Sequence, residues 1–322
     1  MPKRLFQIFL LVVFISAGCF GQGIDPGPGY QTVLMNNPAL SGSEGDGSLR
    51  LSYLDFYPGN NYNFHSVYLS YDSYFPHLHG GAGGYISDDY LGGIINDLKG
   101  GLSYAYFLQA GRDLFINAGL SASFYHRGYN FDKAVLPDQI DPLGGVSQTS
   151  AEILASEGKT VFDVAAGAVF IAGRISGGFS ISHLAEPDLS ETGSSVERLK
   201  RKYFMHLSGD VDINEARNLK LRPLVFMEIQ GECLSSGGGA VIESKYLSFN
   251  ALLLGNNSKN LDVQTGVTIK ISRVSLYYNY QFNILSDINS MPISILHQTG
   301  LAFSLNTVDK RKVTKTINFP DL

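Results

Sequence analysis

Tryptophan is absent from this 322-residue chain, and cysteine occurs only twice, at Cys19 and Cys233. Two cysteines cannot staple a multi-bridge secreted scaffold. Since Cys19 falls inside the leader described below, Cys233 is expected to stand without an intramolecular partner. Charge is also sparse, at 16 % Asp, Glu, Lys and Arg with a formal net charge of −5. So small an excess argues for neither nucleic acid nor a strongly charged partner. After the first twenty residues there is no run of about 18 uncharged apolar residues, so no membrane-crossing helix is expected. Abundance lies elsewhere, in 36 glycines, 18 tyrosines and 20 phenylalanines. That mixture suits a transmembrane barrel, where small polar residues facing the lumen alternate with apolar residues facing lipid.

The chain opens with Lys3 and Arg4 followed by the apolar stretch Leu5 to Ala17. A basic start and a short apolar core read as an export signal, 1–21, with cleavage after Gly21. Ala17-Gly18-Cys19 resembles the end of a lipobox, but Ser16 stands where a large aliphatic residue belongs, which disfavours acylation of Cys19.

Beyond the leader the dominant signal has period two. From Leu114 to Phe124, Leu114, Ile116, Ala118, Leu120, Ala122 and Phe124 share one face, while Asn117, Gly119, Ser121 and Ser123 share the other. One apolar and one polar face define a strand between two different environments. The pattern recurs at 48–56, 62–73, 79–87, 99–109, 113–126, 160–172 and 175–184. It continues at 202–213, 219–232, 238–243, 246–255, 260–271, 273–283 and 298–306. The fold class expected is therefore all-β: a single-chain outer-membrane barrel of about 14 antiparallel strands, within a range of 12–16, the even number such barrels require.

Connection lengths orient the barrel. Every second connection, as at Gly173-Arg174 or Ser272-Arg273, is tight, whereas Asp88 to Leu98, Arg127 to Lys159, Ala185 to Arg201 and Ile284 to His297 read as long loops. Short turns face the periplasm and long loops the exterior. The expected organisation is a leader at 1–21, a periplasmic segment at 22–47, the barrel at 48–306 and a basic periplasmic tail at 307–322.

Short motifs add a resemblance. Asn37-Pro38-Ala39-Leu40-Ser41-Gly42, Ser70-Tyr71-Asp72, Leu78-His79-Gly80-Gly81-Ala82-Gly83, Ile140-Asp141-Pro142, Phe162-Asp163, His183-Leu184-Ala185-Glu186-Pro187 and Arg201-Lys202-Tyr203 follow one another in order. Together they resemble the type IX secretion system membrane proteins of the PorP/SprF family of Bacteroidetes. The resemblance implies an outer-membrane barrel, in contact with outer-membrane lipids, that serves secretion and surface attachment. Its implied partners are a secreted adhesin bearing a type-B C-terminal domain, or the periplasmic type IX motor and peptidoglycan-binding lipoproteins. It implies no cofactor and no nucleic-acid partner.

Catalytic and metal chemistry find little support. His77 and His79 flank Leu78, but no third ligand is near in sequence, and a turn role is favoured. Gly80 to Gly84 lacks the Gly-Lys-Ser or Gly-Lys-Thr of a phosphate loop. Asp88, Asp89, Asp97, Asp132, Asp138 and Asp141 match no calcium-loop spacing and read as solvated loop carboxylates. No Gly-x-Ser-x-Gly elbow occurs. The expected function is therefore non-enzymatic: support of secretion and surface anchoring of a partner protein, with the loops at 127–159 and 185–201 covering the outer mouth. A channel for small solutes is the alternative.

Overall fold

The computed structural model describes residues 32–45, 47–59, 64–131, 139–141, 145–146, 158–190, 198–214, 218–257, 260–285 and 294–305. The leader at 1–21, residues 22–31 and the tail at 307–322 lie outside the described residues, as do Asp132, Asp138 and Pro142.

Seventeen β segments follow one another. The first five are β1 (Ser48–Phe56), β2 (Phe64–Phe75), β3 (Gly80–Leu91), β4 (Ile95–Gln109) and β5 (Leu114–Tyr129). A two-residue pair, β6 (Ile140–Asp141) and β7 (Gly145–Val146), stands apart as its own ribbon. Then come β8 (Lys159–Ala172), β9 (Ile175–Ser182), β10 (Lys202–Gly209), β11 (Val211–Asn214), β12 (Leu219–Gln230), β13 (Cys233–Glu243), β14 (Leu247–Asn256), β15 (Leu261–Ile271), β16 (Val274–Leu285) and β17 (Ser294–Ser304). Outside the ribbon each segment pairs antiparallel with its sequence neighbour. β10 and β11 are one strand interrupted at Asp210, and both pair with β12. Pairing of β1 with β17, from Ser48 with Ser304 to Phe56 with Leu296, closes the sheet. The result is a closed barrel of fourteen antiparallel strands. Among the described residues no helix is long and apolar enough to cross a membrane.

The barrel is polar inside and apolar outside, the inverse of a soluble protein. Along β14, Leu247, Phe249 and Leu253 are exposed while Ser248, Asn250 and Leu252 are buried. Along β1, Leu51 and Tyr53 face out, and Ser48, Arg50 and Ser52 face in. Leu102, Leu120 and Phe162 are 74 %, 63 % and 80 % exposed, an arrangement that places large apolar groups in hydrocarbon rather than water. Buried polar groups must find partners, since an unpaired one costs free energy. Asn250 Nδ2 donates to Asn279 Oδ1 (2.9 Å), Asn279 Nδ2 to Gln298 Oε1 (3.0 Å), and Gln298 Nε2 to Ser52 Oγ (3.1 Å). This chain of amides ties β14, β16, β17 and β1 together across the barrel seam.

At one end of the barrel every connection is short: 76–79, 110–113, 173–174, 215–218, 244–246 and 272–273. The longest connections, 130–158 and 183–201, lie at the other end. Two connections at that long-loop end are nonetheless tight. Gly92-Gly93-Ile94 joins β3 to β4 where a loop from Asp88 to Leu98 was expected, and Gly231-Glu232 joins β12 to β13. Gly92 (φ 66°), Gly93 (φ 81°) and Gly231 (φ 61°) adopt the left-handed backbone that such turns need.

Two further expectations are corrected. The segment at 22–47 is not a periplasmic extension over its described part, because 32–45 is packed inside the barrel. Cys233, at the long-loop end of β13, is disulfide-bonded. Cys19 lies outside the described residues.

Candidate functional site

The lumen is stoppered near its middle by the chain's own amino-terminal segment. A single helical turn, α1 (Val33–Asn36), leads through Asn37 into a 3-10 turn at Pro38–Leu40. Asn37 is extended (φ −149°), and its Oδ1 accepts the Ala39 N–H at 3.0 Å, capping the 3-10 turn. Pro38 follows at the first position of the turn, where its missing N–H goes unmissed. The other side of the Asn37 amide faces the wall, donating to the carbonyls of Ala168 and Phe179, both at 3.4 Å. Two wall glycines make room for this approach. A methyl at Gly119 would strike the backbone of Pro38 and Ala39, and one at Gly167 would strike the Asn37 side chain.

Further along, the Ser41 and Ser103 hydroxyls share a hydrogen bond of 2.6 Å. The Gly42 N–H donates to Asp72 Oδ2 at 2.8 Å, and Arg50, bonded to Asp72 at 2.9 Å, also pairs with Glu44. Ser180 donates to the Asn36 carbonyl, and Lys202 Nζ to Asn36 Oδ1 at 3.3 Å. Every residue from 32 to 45 is buried except Met35 and Glu44.

A second element closes over this plug from the long-loop end. After β9 the chain bends through His183 (φ 58°) and Glu186 (φ 45°), left-handed conformations uncommon for residues with side chains. His183 Nδ1 lies 2.8 Å from Asp163 Oδ2, and the Leu184 N–H donates to the Val164 carbonyl at 3.1 Å. The Leu199 N–H donates to the Pro187 carbonyl at 2.9 Å, alongside a bridge between Asp188 and Arg198. Leu189 and Leu199 drop inward and bury themselves with Tyr125 and Val161. Lys159 Nζ donates to the Ser190 carbonyl at 2.6 Å. The Asp188 carboxylate accepts both the Ser190 hydroxyl (2.6 Å) and N–H (2.9 Å), which hold its pKa below the usual aspartate value. Arg201 stands 3.6 Å from Glu186 at the rim, and Lys202 lies 3.1 Å from Glu228.

Between plug and lid lies a cavity of about 100 Å³, lined among others by Leu34, Met35, Lys99, Asp163, His183 and Lys202. Its charged groups are already partnered, Asp163 with His183, Lys202 with Glu228 and Lys99 with Asp89 outside the cavity, which suits a filled, rigid chamber better than a reacting centre.

The motif residues thus gather on two structures. Asn37, Pro38, Asp72 and Gly81 build or seat the plug, and an added methyl at Gly81 would meet Ser41 and Gly42; Gly80 instead packs against the wall, where an added methyl would meet the Ala105 carbonyl of β4. Ser70 is buried in the lumen beside Asp72, whereas Tyr71 between them faces lipid. His183, Glu186, Pro187, Arg201 and Lys202 build the lid. His79 joins neither: left-handed at φ 50°, it closes the turn at Pro76–Leu78 and accepts the Phe107 N–H on its carbonyl. Asp141 belongs to the small β6–β7 ribbon. Among the described residues no group of three or more His, Cys, Asp and Glu side chains is placed to hold a metal ion.

Sequence reading missed the braces of the lumen wall. Arg127 grips Asp97 through Nε (2.8 Å) and Nη2 (2.9 Å), and the Tyr125 hydroxyl donates to the same carboxylate. Lys99 pairs with Asp89 at 2.6 Å. Arg222 binds Glu243 (2.9 Å) and Asp210 (2.7 Å), and Lys270 joins Glu243. Asp89 and Asp97 are therefore strand residues facing inward, not solvated loop carboxylates. Charged residues on the inner phase of a strand's alternation were the available signal.

The observation that decides the family is a match of residues 30–298 to the model described as type IX secretion system membrane protein PorP/SprF. The chain belongs to this family. No curated protein matches it. Among solved structures, this PorP/SprF barrel is similar to the P. putida toluene transporter TodX, with 11 % identity over 87 % of this chain and 94 % of that one and a TM-score of 0.52. It is also similar to the CymD monoaromatic hydrocarbon channel, with 11 % identity, 89 % and 95 % coverage and a TM-score of 0.51. The outer membrane protein Omp33 of Acinetobacter baumannii matches at 10 % identity, 82 % and 100 % coverage and a TM-score of 0.46. At these identities the likeness to TodX and CymD is one of fold. Together with the family and the inverted polarity of the wall, it makes the protein an outer-membrane β-barrel.

Proposed function

We propose that this PorP/SprF protein is a sealed outer-membrane platform that supports secretion and surface anchoring of a partner protein held at its long-loop end. It does so without turnover chemistry. The observation that carries this reading is the double closure of the lumen by the segment at 32–45 and by the lid that buries Leu189 and Leu199. A barrel whose interior is filled from within offers its rims, not its pore, as working surfaces. The family supplies the setting of type IX secretion. Within it, a secreted adhesin with a type-B C-terminal domain is the partner expected outside, and motor or peptidoglycan-binding lipoproteins are those expected in the periplasm.

Two measurements test this. Deletion of the gene in its host should abolish surface display of at least one type IX cargo, and normal display of every cargo would sink the proposal. Purified protein in planar bilayers should show no stable conductance. Steady ion currents from the intact chain would instead support the alternative, a channel for small solutes, for which the polar cavity above the plug is the one favouring feature.

A further inference from the structure

Asp163 keeps one hydrogen-bonding atom to spare. It faces inward from β8 between Phe162 and Val164, which face lipid, and it is only 6 % exposed. Its Oδ2 is bonded to His183 at 2.8 Å, but among the described residues nothing bonds Oδ1. A buried carboxylate oxygen without a partner costs free energy, so it marks a place where a donor belongs. The cavity between plug and lid is that place, since Asp163 and His183 both line it.

The wall around Asp163 is shaped for this. Asp163 pairs with Ser123 across β8 and β5, Ser123 with Gly101 across β5 and β4, and Gly101 with Tyr85 across β4 and β3. A methyl at Gly101 would come within 2.9 Å of the Tyr85 ring and 3.0 Å of the Ser123 Cβ. The missing side chain therefore lets the ring lie along the wall toward Ser123, and both residues line the cavity with Asp163. Leu34 and Met35 of the plug and Leu199 of the lid supply an apolar part of the lining.

Charge selects the class of guest. The two lysines of the cavity are each matched by a carboxylate, Lys202 by Glu228 and Lys99 by Asp89. Among the described residues Asp163 is matched by an imidazole alone, which carries charge only when protonated. The lining thus retains a carboxylate that no fixed cation answers.

We propose that this cavity binds a short primary ammonium ion. Its N–H groups donate to Asp163 Oδ1 and to the hydroxyls beside it, while its alkyl stem packs on Leu34, Met35 and Leu199. A cavity of about 100 Å³ takes a guest of about four or five heavy atoms, since one of about 150 Å³ holds benzene. The plug lies beneath, so the guest is held rather than passed. This site goes beyond the secretion reading and does not depend on it.

Calorimetric titration of the purified full chain in detergent tests the site with propylammonium, 1-propanol and tetrapropylammonium. Propylammonium should bind at one site per chain. Propanol, of the same size but uncharged, should bind about tenfold more weakly or worse, and tetrapropylammonium, too large and without an N–H, should not bind. Asp163→Asn keeps an acceptor for His183 and should weaken propylammonium by about tenfold or more. Ala165→Leu, which fills the cavity from β8, should remove binding. Heat-modifiable migration on gels confirms that each variant has folded. The proposal is overturned by no binding of propylammonium, by equal binding of propanol, by binding of tetrapropylammonium, or by unchanged binding in either folded variant. Should neither variant fold, the three probes on the unaltered chain still decide. Conductance and surface display are separate readouts, so failure here leaves the proposed function standing.

Discussion

Arg127 and Asp97 show why a barrel wall carries buried charge at all. Both are shielded from water, and each satisfies the other through two hydrogen bonds while Tyr125 occupies a further lone pair. Removing one partner leaves an uncompensated ion, so Arg127→Met is expected to lower stability by about 3–5 kcal/mol. The midpoint of urea unfolding, followed by loss of heat-modifiable migration, measures it; the double variant with Asp97→Asn should recover part of the loss. Gly167 works by size alone. Gly167→Val would drive a side chain into the space of the Asn37 amide. The barrel should still form, but the segment at 32–45 should become open to protease in the purified protein. Asp188 acts through its ionised form, which Ser190 stabilises with two hydrogen bonds. Its folded pKa lies below the unfolded value. Its contribution to the lid is thus fully present above the ordinary aspartate pKa and is lost as pH falls through the lowered one. Ser190→Ala should move the Asp188 titration, read by NMR of labelled aspartate, upward toward the ordinary value.

At the scale of strands, the position of a residue on the outer face decides what a substitution costs. Leu120 lies near the middle of β5 and faces lipid, whereas Leu114 sits at its short-turn end. Leu120→Arg should cost about 2–4 kcal/mol and Leu114→Arg about 0–1 kcal/mol, because the penalty follows depth in the bilayer. Refolding into vesicles across a denaturant series would compare them. The same period of two made most strands legible in the sequence, and it failed where the outward residues carry little side chain. β13 was expected only from 238 because Ser235, Ser236 and Gly237 show no apolar alternation, yet the strand starts at Cys233. β3 was expected to stop at 87 because Asp88 and Asp89 look like loop residues, yet Asp89 points inward to Ser66 and Lys99. The plug was not legible at all. Its sockets, Gly119 and Gly167, lie far along the chain, and nothing local in Asn37-Pro38-Ala39 announces that two strands will close around it. The lid was half legible: its length marked it as functional, but the inward turn of Leu189 and Leu199 depends on Tyr125.

Taken as a whole molecule, the protein is a closed cylinder with an internal stopper, and its permeability should depend on that stopper. Removing residues 22–45 while keeping 1–21 should leave a folded barrel that conducts, whereas the full chain stays silent in the same bilayer. Equal silence from both would mean that the wall residues and lid seal the lumen without the segment at 32–45.

The seam between β1 and β17 has one more consequence, which concerns how the molecule is made. The first and last strands are direct partners over nine residues, and the barrel interior already contains the segment that precedes the first strand. No partial length of the chain can satisfy the edge of β1, because its second neighbour is the last strand to be synthesised. Export must therefore keep the chain from folding until β17 arrives, and the segment at 32–45 must be gathered in before the ring shuts. A truncated product would carry an open edge of unpaired backbone groups, the mark by which assembly and degradation factors could tell an unfinished barrel from a finished one.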